Sequence, residues 1–113
     1  GFQNYPALHI AIEEDFENLA EKILQKMLPE DLGKQNFQND TALHLAIEGD
    51  FETLAEKIID KMTPKDLALQ GFEKATTLAL AREKGFTNLA EKIYAKQHPI
   101  FAVFKRLLPY TTT

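Results

Sequence analysis

The sequence of 113 residues contains no cysteine, which excludes structural disulfides, thiolate metal sites and a cysteine nucleophile. Its five glycines include no pair spaced to form a dinucleotide-binding fingerprint, and no phosphate-binding loop occurs. The H-E-x-x-H and G-x-S-x-G patterns are absent as well. Since no catalytic motif is present, we predict a protein that is not an enzyme and that uses no cofactor or metal.

A long apolar run is also missing. No segment approaches the roughly 18 to 20 residues that span a bilayer, and no signal-peptide pattern opens the chain. Hydrophobic residues make up 44% and charged residues 27%, as in an ordinary folded globular protein. The length suits one domain, so we expect a single soluble domain with no membrane contact within this segment.

Positive charge is scarce in the first two thirds of the chain. Residues 1–35 carry three Lys and seven Asp or Glu, and residues 36–70 repeat that count. Residues 71–113 carry seven Lys or Arg and three Glu. The total of -4 argues against general binding to nucleic acid. One end of the chain is therefore acidic and the other basic.

What the sequence does contain is an internal repeat. Phe16, Phe51 and Phe86 lie 35 residues apart, and the stretch "TALHLAIEGDFETLAEKII" from Thr41 has near-copies that begin at Pro6 and Thr76. A fixed period of this size indicates a solenoid, in which each unit buries its apolar face against its neighbours. The repeats span about 1–35, 36–70 and 71–97.

Each unit contains two predicted amphipathic helices. In the second unit, apolar residues recur at helical spacing on both sides of a short turn at residues 49 and 50. The two helices on either side of this turn should therefore form an antiparallel hairpin. Pro64 and Gly71 then predict a long loop, with a single helical turn at "TPKDL". The predicted fold class is all-α.

The stretch "TALHLAIEGDFETLAEKII" from Thr41 resembles the ankyrin repeat pattern T-P-L-H-x-A-A-x-x-G-H-x-x-[IV]-V-x-x-L-L. The Thr-x-Leu-His turn, the small Ala and the apolar set of the second helix fall in order at one period. The resemblance implies an ankyrin-type helix-turn-helix solenoid. It also implies left-handed backbone at Asp15, Asp50 and Gly85 and, at the hairpin tips, at Asn4, Asn39 and Lys74.

The third unit departs most from the pattern, with Ala79 in place of the histidine and Lys74 at the tip glycine, so we expect it to be the least regular. The period of 35 and the linkers "KMLPEDL" and "KMTPKDL" resemble plant ankyrin proteins with a membrane-anchored C-terminal region. That resemblance implies a cytoplasmic interaction domain in signalling, cut from a larger protein.

The family's partner-contacting residues lie on the hairpin tips and on the inner helices, and the resemblance transfers these positions to each unit. In this chain they are Phe2, Gln3, Tyr5, Glu13 and Glu14; Phe37, Gln38, Asp40, Glu48 and Gly49; and Phe72, Glu73, Ala75, Glu83 and Lys84.

An aromatic residue therefore recurs at every tip, as Phe2, Phe37 and Phe72. Two interpretations remain open. The three rings could form an exposed ladder of binding anchors with a polar rim. They could instead fold under their loops and staple neighbouring units, because structural positions tend to be the same in every unit. The acidic residues nearby would steer a basic partner under either interpretation.

His9 and His44 occupy equivalent turns of adjacent units, so they should lie about 8 to 10 Å apart, too far to share a metal ion. The resemblance implies that each imidazole bonds to turn backbone. His98 is most simply the residue that precedes the last helix. The acidic pairs lack the oxygen-ligand spacing of a calcium loop.

The C-terminal segment "HPIFAVFKRLLPY" leaves the repeat pattern. Pro99 suits the first position of a helix, an apolar face follows, and Pro109 should end the helix. A solenoid needs its last apolar face covered, so we predict a C-terminal cap over residues 98–109, with a disordered tail at 110–113. An amphipathic segment for a membrane or a partner is the alternative. The face comprises Ile100, Val103, Phe104, Leu107 and Leu108.

The predicted function is a non-enzymatic module that binds a protein partner through its hairpin tips and concave inner-helix face. One alternative is self-association, with the acidic end of one copy meeting the basic end of another, head to tail. A designed repeat scaffold is a further alternative, because the first two units are so alike.

Overall fold

A computed structural model describes residues 4–107, with the backbone alone at residues 4–6, 101, 102, 105 and 106. Within this range every regular element is helical, which confirms the all-α prediction. Three helix pairs follow one another: α1 (Asn4–Glu13) with α2 (Glu17–Lys26), α3 (Ala42–Glu48) with α4 (Glu52–Lys61), and α5 (Thr77–Glu83) with α6 (Thr87–Gln97). A final helix, α7, spans Pro99–Leu107. Short 3-10 helices lie between the pairs at Pro29–Gly33, Asp66–Ala68 and Phe72–Lys74.

The two helices of each pair are joined by the same tight reversal. Asp15, Asp50 and Gly85 have φ values of 68°, 65° and 77°, which confirms the left-handed backbone expected there. The next amide, that of Phe16, Phe51 or Phe86, donates to a carbonyl five residues earlier at 2.8 to 2.9 Å. This is the Schellman pattern that satisfies free carbonyls at a helix end. Aspartate tolerates this conformation better than most side chains.

The pairs stack in two layers. The first helices α1, α3 and α5 contact one another in order, and the second helices α2, α4 and α6 form the other layer. One apolar core runs along the stack, which measures 47 × 26 × 24 Å. Within it, Leu8, Leu43, Leu54 and Ile58 are fully buried.

Lysines link the second helices to one another. Lys61 donates through Nζ to the carbonyl oxygen of Leu24 in the preceding pair, and Lys96 donates in the same way to that of Ile59, both at 2.6 Å. These carbonyls lie in the last turns of α2 and α4, where a cation is favoured by the helix dipole. Partial burial at this contact lowers the pKa of Lys96.

One local prediction about the repeat needs correction, whereas the left-handed backbone expected at Asn39 and Lys74 is confirmed. Asn4, expected at a left-handed tip, is the first residue of α1, so the first pair enters its helix earlier than the others. At the third tip both Glu73 and Lys74 are left-handed, with φ values of 55° and 64°, whereas only Asn39 is so at the second tip. The third unit is therefore the more strained, as its sequence suggested.

The C-terminal helix also differs from its prediction. α7 contacts α6, yet the apolar face expected to cover the last pair is exposed at Ile100, Val103, Phe104 and Leu107. A single residue, His98, separates the two helices, and that is too short a link to fold α7 back along α6. Leu108, Pro109 and residues 110–113 lie outside the described residues.

Burial predicts very different costs for one substitution at two equivalent positions. Leu54→Ala should reduce the free energy of unfolding by about 2 to 5 kcal/mol, because it opens a cavity in a fully buried site. Leu19→Ala should cost about 1 kcal/mol or less, because Leu19 occupies the same place in the first pair and is half exposed. Urea denaturation of both variants in dilute solution measures the difference, and equal losses would contradict the stacking described above.

Candidate functional site

The second hairpin tip is a rigid turn built from its own polar groups. The Asn36 amide donates to the Asp40 carbonyl at 2.9 Å, and the Asn39 amide donates to the Asn36 carbonyl at 2.9 Å. The Asn36 side-chain oxygen accepts from the amides of Gln38 and Asp40. With Asn39 left-handed, the chain reverses here without strand pairing. Phe37 and Gln38 are held at the apex.

A groove runs between this tip and the exposed side of α1. Its volume is about 620 Å³, and its lining comprises His9, Ile10, Glu13, Gln35, Asn36, Phe37 and Gln38. Glu13, Phe37 and Gln38 belong to the predicted site residues, and the structure brings them together. Ile10, which is more than half exposed, was not among the predicted residues. It is part of the hydrophobic pattern of α1, so the sequence suggested packing rather than a groove wall.

The exposure of the aromatic side chain differs between the described hairpin tips. Phe37 is fully exposed, so the staple interpretation is wrong at this position. Phe72 is 51% exposed and lies in the strained third tip. Phe2 and Gln3 lie outside the described residues, as does the side chain of Tyr5. The described part of the ladder thus consists of one free ring and one half-covered ring.

Acidic side chains line the same side of the first two units. Glu13, Glu14 and Glu48 are exposed at the ends of α1 and α3. Partial burial, together with the nearby Asp40 carboxylate, raises the pKa of Glu48, and Lys84 opposes that shift. The first-helix side of units one and two therefore carries negative charge beside exposed apolar groups.

The third unit contributes less free charge. Lys84 donates to the Asp50 carboxylate at 2.9 Å and to the Glu48 carbonyl oxygen at 3.0 Å, so it bonds to the preceding unit. The remaining predicted site residues differ in burial. Gly49 of the second unit and Glu73 and Glu83 of the third are exposed, and Ala75 of the third is half-buried.

The structure contradicts the prediction that Asp40 is an exposed site residue. It was expected to face a partner, but it is only 3% exposed. Its carboxylate accepts from the Phe72 amide at 2.9 Å and so ties the second tip to the third. A β-carbon at Gly71 would collide with this carboxylate and with the His44 ring, so glycine is needed there. Asp40 therefore holds the tips together and does not contact a partner.

The two histidines join successive units, as expected from their position. His9 donates through Nε2 to the Asp40 carbonyl at 3.1 Å, and His44 donates to the Ala75 carbonyl at 3.0 Å. The other His44 ring nitrogen, Nδ1, accepts from the Thr41 amide at 3.2 Å. The two His44 bonds together require a neutral imidazole with its proton on Nε2. Burial lowers the pKa of His44, more strongly than the Ala75 bond and the Asp40 charge raise it.

This bond also explains the exception in the third unit. Ala79 takes the histidine position there and is exposed, and no further hairpin follows among the described residues. A histidine at this position would have no next tip to bind within the described residues.

Within the described range, no three side chains of the His, Asp or Glu type are grouped to hold a metal. No helix of residues 4–107 is long and apolar enough to cross a membrane. In comparisons with known proteins, no family model matches this chain, and no curated protein or solved structure matches it.

The His44 contact makes stability depend on pH in a stated direction. The folded-state pKa of His44 lies below its ordinary 6.5. Its contribution is therefore fully present above about pH 6.5 and is lost as the pH falls through the lower folded value, because the unfolded chain takes up the proton first. We expect His44→Gln to be less stable near neutral pH by about 1 to 3 kcal/mol, and to lose less further stability on acidification than the native chain.

Unfolding curves at about pH 7.5, 6.5 and 5.5 test this. His98→Gln is the matched control, because it makes the same chemical change at an exposed position at the end of α6. An unchanged slope in His44→Gln would exclude His44 as its source.

Proposed function

We propose that this chain is a non-enzymatic protein-binding module whose partner docks on the hairpin tips and the concave inner-helix side. The observation that carries the proposal is Phe37, a fully exposed aromatic ring at the edge of a groove that also holds Ile10. Exposed aromatic side chains on a rigid turn are unfavourable in water and are frequent anchors of interfaces.

The surroundings of Phe37 favour a protein partner of particular chemistry. Ile10 supplies a second apolar contact, and Gln38 and Glu13 supply polar groups at the rim. An apolar centre with a polar rim is typical of interface cores. Glu13 and Glu14 add negative charge, so the partner segment should combine an apolar side chain with a basic one.

Rigidity supports the same function. The tip is fixed by its own turn bonds, and His9 bonds the first helix layer to it at the Asp40 carbonyl. Gln35 donates to the carbonyls of Asn39 and Gln70, which adds a link to the third tip. A surface held in this way has little conformational freedom to lose on binding, so more of the contact energy becomes affinity.

An ankyrin-type solenoid belongs to this proposal. Its support is the 35-residue period, the stacked helix pairs and the histidine of one unit bonded to the next tip. The link to plant membrane-anchored ankyrin proteins, and with it a cytoplasmic signalling role, rests on the period and the linkers alone.

The first test is a substitution at Phe37. With the partner recovered from cell extract on the immobilised native chain, Phe37→Ser should weaken its binding about tenfold or more, because an interface anchor is removed. The fold should be retained, since the ring packs against nothing. Titration of the purified partner against both chains, with circular dichroism as the folding check, measures the effect.

Leu28→Ser is the control, because it removes another exposed apolar side chain, 57% exposed, that does not line the groove. Hydrogen exchange on the complex should show protection at the tips and at α1. Protection confined to α2, α4 and α6 would rule the proposal out, as would equal binding by the Phe37 variant.

The acidic rim should affect the rate of association. Glu13→Gln combined with Glu14→Gln should slow association with a basic partner at low salt and leave dissociation nearly unchanged, because steering acts before contact. Stopped-flow measurements across a salt series test this. Glu52→Gln with Glu91→Gln makes the same charge change on the second-helix layer, and an equal slowing there would show that net charge alone is responsible.

A further inference from the structure

The two ends of the stack expose apolar surface that the repeats between them bury. Leu19 of α2 is 49% exposed, whereas its equivalents Leu54 and Leu89 are 0% exposed. Phe16 is likewise more exposed than Phe51 and Phe86. The later residues are covered because a helix pair precedes them in the stack. We call Phe16 and Leu19 the head face.

The opposite end is formed by α7. Ile100, Val103, Phe104 and Leu107 are spaced along one side of this helix, and each is at least half exposed. Four large apolar side chains on nine residues form a continuous stripe. We call these four residues the tail stripe. Neither packing against α6 nor any polar group buries it.

Charge distinguishes the two ends. Phe16 of the head face lies within "EEDFE", residues 13–17, where four of five residues are acidic, and Leu19 follows two residues later. The tail stripe lies within "PIFAVFKRL", which contains Lys105 and Arg106 and no acidic residue. The same contrast holds over longer segments, since residues 1–35 carry a net -4 and residues 71–113 a net +4. Apolar contact and charge therefore favour one pairing of ends.

We propose that the head face of one copy of this chain binds the tail stripe of a second copy, head to tail. The head face is the surface that helix pairs of this chain already use to bind the pair before them, so an apolar helix is a suitable occupant. Head-to-head pairing would bring together two acidic segments, and tail-to-tail pairing would bring together two basic ones. This inference goes beyond the partner-binding groove and uses different apolar residues.

Such a contact is heterologous, because each copy offers two different surfaces. A second copy leaves one head and one tail free, so further copies can add and open oligomers are expected. Sedimentation velocity of the native chain should therefore show larger species as the concentration rises, and these should decrease as salt screens the opposite charges.

The decisive experiment uses two blocked variants. Leu19→Asp blocks the head and Phe104→Asp blocks the tail, and both sites are exposed enough to tolerate the change. Each variant alone should associate about tenfold or more weakly than the native chain, because a carboxylate is forced into an apolar contact. An equimolar mixture should form a single dimer that grows no further, since the Phe104→Asp head can still receive the Leu19→Asp tail.

Crosslinking gives a second measurement that introduces no charge at the contact. The chain has no cysteine, so Asn18→Cys beside the head face and Val103→Cys in the tail stripe carry unique thiols. A short bismaleimide should join these two variants to each other far more than either to itself. Equal yields in all three combinations would overturn the head-to-tail arrangement.

Other outcomes also decide against the proposal. A native chain that remains monomeric at high concentration in low salt overturns it, and so does a variant mixture that forms no dimer. Binding of the monomeric native chain to anionic phospholipid vesicles, lost in Phe104→Asp, would assign the tail stripe to a membrane surface instead. Phe37→Ser should leave self-association unchanged, so failure of the groove proposal and failure of this one can be told apart.

Discussion

No helix pair in this chain buries its own apolar surface, and the rest of the structure depends on that constraint. A pair of 20 to 23 residues is far below the size at which a single core is stable. Each pair must therefore pack on the next, and the fully buried residues Leu54 and Leu89 occur where a preceding pair is present. Contacts between pairs therefore contribute to the stability of each pair.

Side chains that bond across this contact act mainly on backbone carbonyls. His9 and His44 bond to the next tip, and Lys61 and Lys96 bond to the preceding second helix. Carbonyl oxygens at turns and helix ends need hydrogen-bond donors whatever the sequence around them. One residue type can therefore form the same hydrogen bond in successive units. The histidine bonds order the tips and the lysine bonds order the opposite layer.

This division leaves two kinds of surface free. Along the stack, the apex residues Phe37 and Gln38 take no part in holding units together. Packing between units therefore does not restrict which residue types occupy these two positions. At the two ends of the described stack, Leu19 and the apolar side of α7 are exposed. The first surface is proposed for partner binding and the second for self-association. Their physical origins differ, so one can be changed without the other.

Local physical chemistry made several features predictable. The helical spacing of apolar residues predicted the three helix pairs. The reversals at Asp15 and Asp50 were also predictable, because aspartate tolerates left-handed backbone. Glu13, Phe37 and Gln38 could be placed on one surface only because the resemblance to ankyrin repeats implied that hairpin tips and inner helices share a side. Asp40 could not be placed, because its burial depends on the space beside Gly71 in the next unit.

The sequence by itself determined the period, the helix pairs, the reversals and the opposite charges of the two ends, since each depends on residues close together in the chain or on simple sums. Only the tertiary structure decided which apolar residues are covered. Phe37 and Leu54 are both large and apolar, yet one is free and the other is enclosed. The direction in which α7 leaves α6 likewise exposed a stripe that its spacing had suggested was buried. Burial depends on which surfaces meet, and that is a property of the assembled stack.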